Sequence, residues 1–124
     1  MSNNLFLAAL THFLASVNED QAKHYERYEN LDFGEGEDCY AGPVKPAGGN
    51  KYLKLTQKNG CQEHVYAFVA TVDVPNKNVK AGDVLMAATW KAPALKRKVP
   101  GVANIFDPAS FLKKQKGTAG WLYV

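Results

Sequence analysis

The feature that most limits what this chain can become lies in its middle. Tyr52-Leu53-Lys54-Leu55-Thr56 alternates, with Leu53 and Leu55 on one face, and His64 to Val72 is dense in β-formers. Between them stands Asn59-Gly60, two residues that tolerate positive φ and suit the tight corner of a hairpin. An isolated hairpin is marginal in water, so these strands need further strands or a helix on their apolar face. Along the second strand the apolar residues occupy both parities, with Val65, Ala67 and Val69 on one and Tyr66, Phe68 and Ala70 on the other. That predicts a central strand covered on both faces.

The rest of the chain supplies the cover. Phe6, Leu10, Phe13, Leu14 and Val17 recur at helical spacing. Asn18, followed by Glu19 and Asp20, is a helix-start signal. Residues 1–29 are therefore helical, as one helix or as two divided at Asn18, with Tyr25 and Tyr28 on one face. Residues 30–50 carry Gly34, Gly36, Gly42, Gly48, Gly49, Pro43 and Pro46, and read as a long loop with a short strand near Cys39–Ala41. Pro75-Asn76 and Ala81-Gly82-Asp83 are turns. Val84 to Trp90 is a third main strand. Asp107-Pro108 opens a short helix over 108–116, with Phe111 and Leu112 inward and lysines in its last turn, and Trp121–Val124 is a final strand. The fold class is α+β. The N-terminal helical segment packs on an antiparallel sheet of about four or five strands, with the short helix before the last strand.

The 124 residues, 46% of them hydrophobic, suffice for one domain, 1–124, with its own core. No stretch is apolar enough for a membrane span, and no basic residue precedes Leu5–Leu10 as a secretion signal requires. The two cysteines, Cys39 and Cys61, read as free thiols. The net charge of +3 conceals a division. Residues 1–50 hold three basic and eight acidic groups, whereas residues 51–124 hold twelve basic and four acidic. Either the halves attract one another across the fold, or the division marks a polyanion-facing surface or a charged protein interface.

Catalytic and cofactor signatures are missing. Gly34-x-Gly36 lacks the third glycine and the preceding strand of a dinucleotide site, and there is neither a phosphate-binding loop nor a nucleophile elbow. Glu35, Glu37 and Asp38 do not have the spacing of a calcium loop. Cys39, Cys61 and His64 are three candidate zinc ligands where a structural site takes four. His12 and His24 read as surface or boundary residues of the helix. The expectation is a protein that is not an enzyme and holds no cofactor or metal.

Gly82-Asp83-Val84-Leu85-Met86-Ala87-Ala88-Thr89-Trp90-Lys91-Ala92-Pro93-Ala94 and Gly101-Val102-Ala103-Asn104-Ile105-Phe106-Asp107 form a recognisable pair. Together with Tyr52–Leu55 and Val65–Val69, they resemble a family of small proteins of tailed bacteriophages. The likeness spans roughly residues 51–107. Here the link Leu95–Pro100 is longer than in that pattern, and Val102-Ala103 separate Gly101 from Asn104. The resemblance implies a phage origin and action in the cytoplasm of an infected bacterium. It implies no particular activity.

Trp90-Lys91 with Lys96-Arg97-Lys98 is the strongest candidate site. An aromatic face beside several cations suits single-stranded nucleic acid, whose bases stack while its phosphates meet the cations. Tyr52 and Lys54 face the same way by alternation and extend the site, as Tyr66 and Phe68 would if they shared that face. The competing reading makes Trp90 a core aromatic at a strand end. Lys113, Lys114 and Lys116 suit a helix C-terminus and could add to a basic surface. Two functions stay open: a phage accessory protein that binds single-stranded nucleic acid, or a small effector that inhibits a host protein. Leu5, Leu7, Ala8 and Ala9 widen the apolar surface of the helix beyond one stripe, which leaves room for a homo-oligomer.

Overall fold

The computed structural model describes residues 3–27 and 30–112. Tyr28, the lysines at 113, 114 and 116, and the expected strand at Trp121–Val124 lie outside the described residues. In chain order the elements are helix α1 (Asn3–Arg27), strands β1 (Lys45–Pro46), β2 (Tyr52–Asn59) and β3 (Gln62–Ala70), a 3-10 turn (Pro75–Lys77), β4 (Asp83–Leu85), β5 (Gly101–Asn104) and helix α2 (Ala109–Leu112). The strands form one sheet in sequence order, every neighbouring pair antiparallel. The architecture is α+β as expected, although among the described residues the short helix follows the last strand. No helix among the described residues is long and apolar enough to cross a membrane.

A single helix runs through Asn18, so the division there does not occur. The Asn18 side chain instead clamps the chain entering β1. Its Oδ1 accepts from Val44 N–H at 2.7 Å and its Nδ2 donates to Val44 C=O at 3.3 Å. The predicted stripe faces the sheet. Leu10, Phe13 and Val17 are buried with Leu55, Tyr66, Ala67, Val69, Val84, Ala103, Ile105 and Phe111, and Phe6 and Leu14 pack at the margin. Phe13 and Phe111 meet edge to face with centroids 4.9 Å apart. One helical turn further on, Gln21 and Gln57 hydrogen-bond in the interior, and Gln57 Nε2 also donates to Gly42 C=O at 3.0 Å. A buried amide is tolerable only when so paired. Leu5 and Leu7 point to solvent, 62% and 56% exposed.

The hairpin corner is Gly60-Cys61, one residue later than expected, because Asn59 pairs with Gln62 and belongs to β2. Gly60 carries the required positive φ of 61°. A bulge then resets the side-chain parity of β3. Leu55 pairs with Ala67 and Thr56 with Val65, which leaves Tyr66 unopposed. Tyr66 thereby joins Ala67 and Val69 on the helix side, while Val65 joins Phe68 and Ala70 on the other. Strict alternation along His64–Val72 assigned Tyr66 and Val65 to the opposite faces. Phe68, Ala70 and Leu85 form a second, smaller cluster with Val74 and Val79, packed against Tyr52, Val65, Ala87 and Leu95.

The predicted strand Val84–Trp90 stops at Leu85. Beyond it, Ala87 bridges Pro93, and Ala88 and Thr89 N–H groups donate to Ala92 C=O. The α2 helix begins near the expected Pro108, whose carbonyl accepts from Leu112 N–H at 2.9 Å. Phe111 is buried but Leu112 is 50% exposed rather than inward. The strand expected near Cys39–Ala41 reduces to isolated bridges of Ala41 with Phe33 and Asn59.

Candidate nucleic-acid interface

The loop between β4 and β5 builds the site. Thr89 Oγ1 accepts from the N–H groups of Lys91 and Ala92, both at 3.1 Å, and closes a tight turn with Trp90 at its apex. Pro93 is buried and anchors the returning arm. The turn lifts Trp90 off the core and leaves it 49% exposed. Of the two readings left open for Trp90, the core aromatic is ruled out, since its ring belongs to neither buried cluster.

The loop folds over the face of the sheet away from α1. The Lys54 ammonium lies 4.3 Å from the Trp90 ring centroid, a cation–π contact worth about 0.5–1 kcal/mol at an exposed site. Lys54 and Tyr52 share this face of β2, as their alternation predicted, and both are half-buried. Lys51 stands 6.0 Å from the Tyr52 ring centroid. Tyr66 and Phe68 do not extend the site. Each is 2% exposed, Tyr66 beneath the helix because of the bulge and Phe68 within the second cluster.

Lys91, Lys96, Arg97 and Lys98 are all exposed. Asn78 Nδ2 donates to Lys98 C=O at 2.9 Å and ties the Lys96–Lys98 bend to the 3-10 turn. That contact brings two further exposed cations to the same end, Lys77 and Lys80. Sequence reading passed over them because they stand singly, inside what read as turns. The acids nearby serve the backbone. Asp73 Oδ1 accepts from Ala81 N–H at 2.8 Å and Asp83 Oδ2 from Lys80 N–H at 2.9 Å. Among the described residues, none of the cations in 51–112 forms an ion pair, and the pairs Lys23–Glu19 and Lys45–Glu35 both fall within residues 1–50.

Among the described residues no ion pair joins residues 1–50 to residues 51–112. Gly42 N–H donates to Lys58 C=O and Gly60 N–H to Tyr40 C=O, which seats the loop carrying Asp32, Glu35, Glu37 and Asp38 at the corner end of the hairpin. Lys51 lies at the other end, beside Thr71. Lys58, at the corner end, is the cation of the basic half that meets this loop, donating from Nζ to the Glu37 and Cys39 carbonyls at 3.4 and 3.5 Å. Cys39, Cys61 and His64 do not converge on a metal centre, for no group of three such ligands exists among the described residues.

The motif shared between the two ends of the β4–β5 loop has a structural role. Asn104 Nδ2 donates to Ala81 C=O at 3.1 Å and to Asp83 Oδ1 at 2.9 Å, while its Oδ1 accepts from Phe106 N–H at 2.8 Å. Ser110 Oγ accepts from Asn104 N–H at 2.9 Å. Gly82 has φ +87°, and a Cβ there would sit 2.6 Å from the Phe106 ring. A Cβ on Gly101 would sit 2.6 Å from the Asp83 carboxylate. Gly82-Asp83 and Gly101-x-x-Asn104-Ile105-Phe106 therefore form one clasp that closes the base of the Trp90 loop. No family model, curated protein or solved structure matches the chain.

Proposed function

We propose that this protein binds single-stranded nucleic acid, without acting on it as an enzyme, through the β4–β5 loop and the sheet face beneath it. Trp90 is the stacking platform. Lys91, Lys96, Arg97 and Lys98 meet phosphates, with Lys77 and Lys80 extending the strip, and Tyr52 and Lys54 form the floor. The observation that carries the reading is the half-exposed Trp90 ring, raised on a tight turn with the Lys54 ammonium against it, in a segment whose cations form no ion pair among the described residues. An exposed indole next to fixed positive charge offers π-stacking and phosphate attraction together, which a single strand can use at once. On its phage-like motif, the setting is the cytoplasm of an infected bacterium.

Paired variants test the assignment. Trp90→Ala should cost about 1–3 kcal/mol in single-strand affinity and leave the salt slope nearly unchanged. Arg97→Ala should weaken binding to all sequences alike and lower the salt slope by about one unit. A Trp90→Ala variant that melts like wild type and binds like wild type refutes the stacking role. The exposed acids Glu37 and Asp38 favour a second reading, an effector docking on a basic patch of a host protein. Capture of a host protein that Glu37→Lys with Asp38→Lys abolishes, in a chain that binds no polynucleotide, would support it.

A further inference from the structure

Both cysteines of the chain border one cavity of about 420 Å³, together with Asn30, Asp32, Asp38 and Tyr40. Cys61 sits at the hairpin corner, exposed, and Cys39 sits half-buried in the acidic loop. The loop is held against the corner by an antiparallel register. Ala41 pairs with Asn59, and Gly60 N–H donates to Tyr40 C=O at 2.7 Å. Cys39 and Cys61 are the chain neighbours of that bonded Tyr40–Gly60 pair, one in the loop and one at the corner. Ala41 and Asn59 form a pair without mutual backbone bonds, since the bonds run from Gly42 to Lys58 and from Gly60 to Tyr40. Backbone-bonded pairs such as Tyr40 and Gly60 lie about 5.5 Å apart at Cα and a disulfide takes about 4.4–6.8 Å, so the two thiols stand on chain segments already spaced for a bridge.

The surroundings hold the loop in place while leaving the sulfur room. Tyr25 stacks on Phe33 and packs on Tyr40, with centroids 6.1 and 6.0 Å apart. Cys39 N–H donates to Gly36 C=O at 3.1 Å. A Cβ on Gly34 would sit 3.2 Å from Cys39 Sγ, so a glycine there keeps the thiol uncrowded.

We propose that Cys39 and Cys61 form a reversible intramolecular disulfide that fastens the acidic loop to the hairpin corner. This stands independently of the nucleic-acid reading. The oxidant is a small-molecule disulfide such as glutathione disulfide. The exposed Cys61, as thiolate, attacks one of its sulfurs, forms a mixed disulfide and expels one glutathione thiolate. The Cys39 thiolate then attacks the Cys61 sulfur, forms the protein S–S bond and expels the second glutathione. Two protein thiols are oxidised, one glutathione disulfide is reduced to two glutathiones, and the two thiol protons pass to the departing thiolates. An excess of reduced glutathione reverses both steps.

The test uses the full chain in glutathione redox buffers, quenched by alkylation and read by mass spectrometry without reductant. The expected product is a monomer two hydrogens lighter, with no glutathione attached. Its tryptic peptide carrying Cys39 is joined to that carrying Cys61, and its melting temperature is raised until reductant is added. Cys39→Ser should instead stop at a single glutathione adduct on Cys61. Wild-type protein that accumulates stable glutathione adducts, or oxidises only to disulfide-linked dimers, would overturn the proposal.

Discussion

Asn104→Ala removes three hydrogen bonds at the base of the Trp90 loop: to Ala81 C=O, to the Asp83 carboxylate and from Phe106 N–H. The two neutral bonds are worth about 1 kcal/mol each and the bond to the charged Asp83 about 2 kcal/mol. Phe106 is 37% exposed, so water recovers part of the loss at its N–H. The net cost is about 3 kcal/mol, or roughly 12 °C in Tm for a domain of this size. Asn104→Asp should cost at least as much, because it keeps the shape, loses the donor and sets a second carboxylate against Asp83. Urea melts followed by circular dichroism measure both. A loss below about 1 kcal/mol for Asn104→Ala would refute the clasp, and with it the claim that this motif shapes the loop.

Phe13→Ala, at a site with no exposed surface, should cost about 3–5 kcal/mol by urea melt, while Leu14→Ala at the margin of the same stripe should cost less. Equal losses would mean the helix is rotated from the orientation described. Gly82→Ala should destabilise the fold by at least about 1 kcal/mol, since the left-handed φ and the Phe106 ring both oppose a Cβ. A wild-type Tm would show that the ring and the turn yield freely. Melting with and without a strong chelator should give one Tm, and a large drop with chelator would revive Cys39, Cys61 and His64 as metal ligands. If Leu5 and Leu7 bury in a second copy of the chain, Leu5→Ser with Leu7→Ser should convert an oligomer to a monomer in sedimentation. An unchanged sedimentation coefficient would exclude that face as the contact.

The sheet was legible where one local rule governed many residues. Alternation in Tyr52–Thr56, β-formers after His64 and helical spacing from Phe6 to Val17 each pointed to one element, and the structure contains it. The rest failed for identifiable reasons. Tyr66 changed face because a single bulge shifts parity, and a bulge leaves no residue-type signature when all its neighbours are apolar. Val84–Trp90 read as one strand because Met86-Ala87-Ala88 contains no turn former. The turn is closed by the Thr89 hydroxyl and the buried Pro93 beyond it. The strand β5 was missed because Gly101-Val102-Ala103-Asn104 has weak β propensity and is held by pairing with β4 and by the Asn104 clasp. At the candidate site, sequence supplied Trp90 and its basic neighbours. It also supplied Tyr52 and Lys54 by alternation, but not the exposure of Trp90 or the Asn78–Lys98 tie that sets Lys77 and Lys80 beside the basic bend, which depend on how the β4–β5 loop crosses the sheet.

The central claim is that the Trp90 loop binds single-stranded nucleic acid, and one titration addresses it directly. Fluorescently labelled single-stranded DNA, single-stranded RNA and duplex DNA are each titrated with wild-type protein across a salt series. The account predicts saturable binding to a single strand, weaker binding to the duplex, and log K falling linearly with log salt at a slope reflecting about three to five phosphate contacts. Absence of binding to every polynucleotide at low salt would contradict it.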